Sequence, residues 1–256
     1  MLKQVSILTI SLFTLHGAQA AVNLTAGHAD LGLGEGTELE PHIHVETGGA
    51  VGGVTETNLD GMEYEADEIN ILVPSSTFDY VMNTFNGRLA GTEWDPIGVS
   101  EGEGYWFLPQ VDSGPGGAGA LGAPFLGIGA EEVDTGVFDG DALTLTLIGA
   151  NMPDGAHFSM WQDGPTPNFF MTTTDGFGPG DAFTLGDIAL NDHEHVNWGF
   201  SHAGIYELTF QSSGFVGGSL ETAQETFTFV VPEPSTYGLL TGMAVMMLVL
   251  VCRRRA

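Results

Sequence analysis

The residues able to do chemistry are histidines, and they come in company. The segment Asn191-Asp-His-Glu-His-Val-Asn-Trp198 places His193 and His195 two apart. An extended chain alternates its side chains between two faces. That spacing therefore puts both imidazoles on one face with Asn197, and Val196, Trp198 and Phe200 on an apolar face. Two other segments repeat the arrangement. In Gly27-His-Ala-Asp30, His28 and Asp30 share a face, while Ala29, Leu31 and Leu33 share the other. In Glu40-Pro-His-Ile-His-Val-Glu46, His42, His44 and Glu46 point away from Ile43 and Val45. Neutral imidazole is the commonest metal ligand, and Zn²⁺ takes three or four N, O or S donors. If the three polar faces meet, His28, His42, His44, His193 and His195 become candidate ligands for Zn²⁺ or another divalent transition metal. Asp30 and His202 are further donors, and His157 stands apart. Each pair by itself is also what a solvated strand face looks like, so convergence must come from the fold.

The elements that would position these faces are short strands. Ala142-Leu-Thr-Leu-Thr-Leu-Ile148 alternates leucine with threonine. Glu68–Val73 is stopped by Pro74, and Tyr105–Leu108 ends at Pro109. His157–Trp161, Pro167–Thr172 and Thr226–Val231 are further strands, with turn signals at Asp139-Gly140, Asp175-Gly176 and Pro179-Gly180. The stretch 191–210 is predicted as two short strands joined by a turn at Ala203-Gly204. Residues 47–57 and 112–122 are Gly-rich loops, and 77–95 has room for a short helix. Many short strands without an amphipathic helix predict an all-β fold, an immunoglobulin-like β-sandwich formed by residues 21–231 as one domain.

The formal net charge is −28 over 256 residues. Between Ala21 and Val231 only Arg88 is basic, and all 33 acidic residues except Glu233 fall in that span. Such a surface repels phosphates, which excludes nucleic acid as a partner. The single cysteine, Cys252, leaves residues 21–231 without a disulfide or a thiol nucleophile. Gly199-Phe-Ser-His-Ala203 lacks the last glycine of a nucleophile elbow, and His193-Glu-His195 has the wrong spacing for a helical zinc-protease motif. These residues indicate no enzyme. Asp134, Asp139 and Asp141 do not form an EF-hand and are expected in turns.

The two ends carry an address. Residues 1–20 read as a signal peptide: Lys3 in the n-region, an apolar run from Val5 to Leu15, and Ala18-Gln-Ala20 as the cleavage site. At the other end, Pro232, Glu233 and Pro234 precede the apolar run Tyr237–Val251, and Arg253, Arg254 and Arg255 follow it. The arginines mark a cytoplasmic flank, so the apolar run is expected as a single transmembrane helix. Residues 232–256 resemble a PEP-CTERM sorting signal. That resemblance implies a Gram-negative exporter and processing of the tail by an exosortase. The membrane would hold the chain through the C-terminal helix before processing, and the mature protein would reach the cell surface or extracellular matrix.

A second resemblance covers Gly27 to Phe210. Its pieces are Gly27-His-Ala-Asp30, His42-Ile-His44, Trp106-Phe-Leu-Pro-Gln110, Leu126-Gly-Ile-Gly-Ala-Glu-Glu132, Gly136-Val-Phe-Asp-Gly-Asp141, His193-Glu-His-Val-Asn-Trp198 and Gly204-Ile-Tyr206. In this order they are similar to the choice-of-anchor M surface domain, related to actinobacterial surface-anchored repeats. Related repeats sit beside transporter components that look like metal importers, which implies a link to metal by analogy. The expectation is an exported module that binds a Zn-type ion through clustered histidines; a structural or adhesive matrix protein without a small-molecule site is the alternative.

Overall fold

The structure is a computed structural model and describes residues 21–46, 50–51, 54–55, 61–78, 80–81, 84–85, 87–186 and 193–233. The expected signal peptide, Pro234, the apolar run and Arg253–Arg255 lie outside the described residues. Among the described residues no helix is long and apolar enough to cross a membrane.

Among the described residues eighteen strands follow one another along the chain. The first nine are β1 (Val22–Gly32), β2 (His42–Val45), β3 (Ala50–Val51), β4 (Val54–Thr55), β5 (Met62–Tyr64), β6 (Ile69–Leu72), β7 (Tyr80–Val81), β8 (Thr84–Phe85) and β9 (Trp106–Leu108). Then come β10 (Pro124–Gly129), β11 (Ala142–Asn151), β12 (Phe158–Gln162), β13 (Asn168–Thr172), β14 (Ala182–Gly186), β15 (His193–His195), β16 (Asn197–Phe200), β17 (Gly204–Val216) and β18 (Ser219–Val231). Among the described residues helix is confined to the short segments Ser75–Thr77, Thr92–Ile97 and Ala118–Leu121. The fold is therefore all-β, as the alternation predicts.

The larger sheet has the order β14-β11-β17-β18-β6-β1-β10-β15, and β2, β3, β4 and β5 extend from β1. A four-stranded sheet has the order β13-β12-β16-β9. Leu143, Leu145, Leu147, Tyr206, Leu208, Phe210, Phe227 and Phe229 of the first meet Phe158, Met160, Trp198 and Phe200 of the second in one buried core. Trp198 stacks on Phe229 at 5.8 Å between ring centroids, and Phe200 meets Tyr206 edge-on at 5.0 Å. Burying this aromatic surface is the main stabilising term, at about 25 cal/mol per Å² of apolar area.

The stretch 191–210 differs from its expectation. It is not a two-stranded unit: β15 belongs to the larger sheet, β16 to the smaller, and β17 to the larger again. The chain crosses the core at Val196, which is fully buried. Alternation stops at that crossing, so Asn197 does not share the face of His193 and His195. It is buried, accepts from the Gln110 backbone N–H at 3.0 Å and donates to the Gln110 side chain at 3.0 Å. Asp139 and Asp141 do serve turns: Asp139 accepts from the N–H groups of Gly217 and Gly218, and Asp141 from that of Gly136.

The strand that does most to position the histidines is β1. Its first half, Val22–Leu24, runs parallel to β6, and its second half, Gly27–Gly32, runs parallel to β10. The change of partner falls at a register shift between Leu24 and Ala26, next to Gly27 at φ +82°. A residue with a Cβ rarely adopts that conformation, so the glycine lets one strand serve two neighbourhoods.

A candidate metal centre

Four strands lie side by side in the order β2-β1-β10-β15, and their register makes a row. Asp30 pairs with His44 on one side and Gly127 on the other, and Gly127 pairs with His195. In the next row His42 pairs with Gly32, Gly32 with Gly129, and Gly129 with His193. His28 and Phe125 pair in the row on the other side. These residues share one face. The opposite face carries Ala29, Leu31, Ile43, Val45, Leu126 and Ile128, all fully buried in the core. Core burial on one side thus fixes which side chains face out on the other. Trp198 locks the platform by donating its indole N–H to the Leu126 carbonyl at 3.0 Å.

On that outer face the rings of His28, His193 and His195 form a triangle. Their centroids are 4.9 Å apart for His28–His195, 5.1 Å for His193–His195 and 5.3 Å for His28–His193. Three imidazoles bound to one tetrahedral Zn²⁺ at 2.0–2.1 Å per bond would hold their centroids roughly 5 Å apart. One ligand atom from each ring lies within 4.8 Å of the others. Asp30 lies among them at 1% exposure, and neither of its carboxylate oxygens accepts a hydrogen bond, although His28 Nε2 stands 3.3 Å from Oδ2. Both ring nitrogens of His195 and Nε2 of His28 are likewise buried without a hydrogen-bond partner. Buried polar atoms are nearly always paired, and an uncompensated buried carboxylate costs several kcal/mol even after relaxation.

Gly127 makes the space. A Cβ there would collide with Asp30 Oδ1 and come within 3.0 Å of His195 Cε1. Phe125 closes one wall, stacked on His195 at 3.5 Å and 7°. His193 is oriented from behind: its Nδ1 donates to Glu131 Oε1 at 2.7 Å, which leaves Nε2 free to face an ion. A carboxylate behind a histidine is the usual partner of a metal-bound imidazole.

The electrostatics separate the histidines by role. Burial pushes His195 down to about 4; Asp30 opposes this, and the neighbouring His28 and His193 add to it. Its imidazole is neutral at pH 7 with a lone pair to offer. Burial also works against a charged His28, but contact with Asp30 and the charges of Asp30, Glu46 and Glu131 outweigh it and raise its pKa. Contact with Glu132 carries His44 up to about 9 against the opposing effect of burial. Burial and the charge of Asp30 raise Glu131, with His193 opposing. Burial works against the charge on Glu132, but His44 outweighs it and lowers the carboxyl.

The fold brings together His28, His193, His195 and Asp30 from the expected set. His44 lies in the adjoining row against Glu132. Among the described residues two further donor groups adjoin the triangle: Asp30–Glu131–His193 and His44–Glu131–Glu132. His42 is in none of these groups; its Nδ1 donates to the Glu40 carbonyl at 2.8 Å while its ring lies over Gly32. Nor is His202, which pairs with Ser201 Oγ at 2.8 Å and takes the Tyr206 hydroxyl on its backbone. Glu131 and Glu132 were not among the candidate ligands from sequence. The signal that could have found them is Gly127-x-Gly129, two glycines on a strand that an acidic pair follows. Comparison with protein-family models, with curated proteins and with solved structures returned no match for this chain.

Proposed function

We propose that the protein is an exported, surface-displayed module that binds a divalent transition metal, Zn²⁺ first, through His28, His193 and His195 with Asp30 as the fourth donor. The observation that carries this is Asp30, a carboxylate at 1% exposure with no hydrogen bond to either oxygen, set among three imidazoles. A cation satisfies all of them at once. The module binds rather than transforms. Its scaffold is an immunoglobulin-like sandwich, a reading supported by the two facing sheets and by Tyr206. The Tyr206 hydroxyl donates to the His202 carbonyl at 2.8 Å and accepts from the His202 N–H at 3.0 Å, as in a tyrosine corner. Export rests on the signal-like residues 1–20 and on the PEP-CTERM-like tail, with an exosortase as processing partner and the membrane as its temporary anchor.

The test is elemental analysis of dialysed protein, followed by thermal unfolding with and without Zn²⁺. Bound metal near one equivalent or above, and a melting shift lost in the His193→Ala/His195→Ala variant, support the reading. A second reading is a metal-free structural or adhesive protein. It is favoured by the His193–Glu131 and His44–Glu132 contacts, which are ordinary ion pairs if the imidazoles are protonated. Protein that retains no metal and shows no shift would establish it.

A further inference from the structure

The donors do not stop where one ion needs them to stop. The three groups form a chain: His193 belongs to the first and second, and Glu131 to the second and third. Asp30 stands between His195 and His44 in the cross-strand row, one strand from His44 and two from His195. Its carboxylate has two oxygens and neither accepts a hydrogen bond. Glu131 spends Oε1 on His193 and keeps Oε2 buried without a partner. Asp30 shares the second group with Glu131 and His193, and Glu131 also belongs to the third, so the Asp30 carboxylate adjoins both donor sets.

Charge balance points the same way. Asp30, Glu131 and Glu132 are joined there by Glu46, whose Oε1 lies 3.9 Å from His44 Nε2. Arg88 is the only arginine or lysine between Ala21 and Val231, and it is held elsewhere by the 91–95 loop. Once metal has displaced the imidazole protons, the four carboxylates carry −4, which one divalent ion halves and two neutralise.

Resting on the single-metal reading of the same face, we propose that the centre is binuclear, with a second divalent ion held by His44, Glu131 and Glu132 and bridged to the first through Asp30. The first position has three imidazoles and one carboxylate, which suits Zn²⁺. The second has one imidazole and three carboxylates; that oxygen-rich set accepts Mn²⁺ as readily as Zn²⁺. Two ions sharing one carboxylate lie about 3.5–4 Å apart. Glu131 then has two tasks, orienting His193 through one oxygen and binding the second ion through the other.

The test uses the full chain purified in detergent, stripped with chelator and reloaded with Zn²⁺ or with Mn²⁺. Metal content by mass spectrometry and the electron paramagnetic resonance of the Mn²⁺ form are the two readouts. The expected result is two ions per chain, with an exchange-coupled Mn²⁺ signal. Glu132→Gln, which keeps the side-chain volume, and His44→Ala should each bring the content to one and remove the coupling, with circular dichroism unchanged. Two uncoupled Mn²⁺ ions would show adventitious binding to acidic surface and overturn the proposal. One ion per chain, indifferent to Glu132→Gln, would overturn it while leaving the single-metal module intact. No retained metal would remove both.

Discussion

Two buried charges in this molecule have opposite surroundings. Arg88 is 6% exposed, and its guanidinium is spent on the loop beside it. It donates to the Trp94 carbonyl at 3.1 Å and the Gly91 carbonyl at 3.1 Å, and it pairs with Asp95. This pins the 3-10 turn Thr92–Ile97, which helps cover the outer face of the smaller sheet, where Ile97 and Trp94 pack with Trp161, Tyr105 and Phe169. Asp30 is more deeply buried and accepts no hydrogen bond. The first charge is part of the scaffold, since the chain itself supplies its partners. The second has His28 Nε2 at 3.3 Å as its ion-pair neighbour, and on the proposed reading an ion completes its surroundings. A buried ionised group is uninformative until its partners are counted.

The largest expected effect sharpens that contrast. Zn²⁺ at about a thousand times its dissociation constant should stabilise the folded protein by about 4 kcal/mol, a rise in melting temperature on the order of 10 °C. His195→Ala should abolish that rise, as read by calorimetry. Next comes the scaffold charge. Arg88→Met should cost about 2–4 kcal/mol by denaturant unfolding, equally with chelator and with Zn²⁺, because only internal hydrogen bonds are lost. If the cost depended on metal, the two regions would not be independent. Asp30→Asn should do the reverse. In chelator it should change stability by about 1 kcal/mol or less, since the buried carboxylate it removes is offset by His28, whose charged form it favours from 3.3 Å. With Zn²⁺ present it should leave the protein less stable than the parent.

The smallest effect is a pH profile of the chelated protein. His195 has a folded pKa near 4, below that of the unfolded chain, so the unfolded state binds more protons. Stability should therefore fall as pH drops from about 6.5 through 4. His44 has a folded pKa near 9, so its contribution is complete below about 6.5 and is lost as pH rises through 9. Each side should amount to about 1 kcal/mol once solvent screening is allowed for. Removing His44 should flatten the alkaline side alone, and removing His195 the acid side alone.

Much of the site was legible residue by residue. Ala29 and Leu31 against His28 and Asp30, and Ile43 and Val45 against His44, follow from a period of two with one face buried. His193 and His195 do share a face, as their spacing requires. The same rule failed at Asn197, because it holds only while a strand continues and the chain changes sheets at Val196. It also could not distinguish His42 from His44. Both point outward from β2, but one residue pair along the strand sets His44 beside Asp30 and His42 over Gly32.

By itself, then, the sequence determined local facts: an all-β chain, the inward face of each strand, an overwhelmingly acidic surface, and which side chains were free to bind. Strand order decided the rest. Parallel pairing of β1 with β10 and antiparallel pairing of β10 with β15 joined Asp30 and His195, 165 positions apart in sequence, into one row. Those pairings depend on which surfaces bury most apolar area together, a property of the assembled core. Glu131 and Glu132 follow β10 after one residue, Ala130, so the docking of that strand carries them to the histidines.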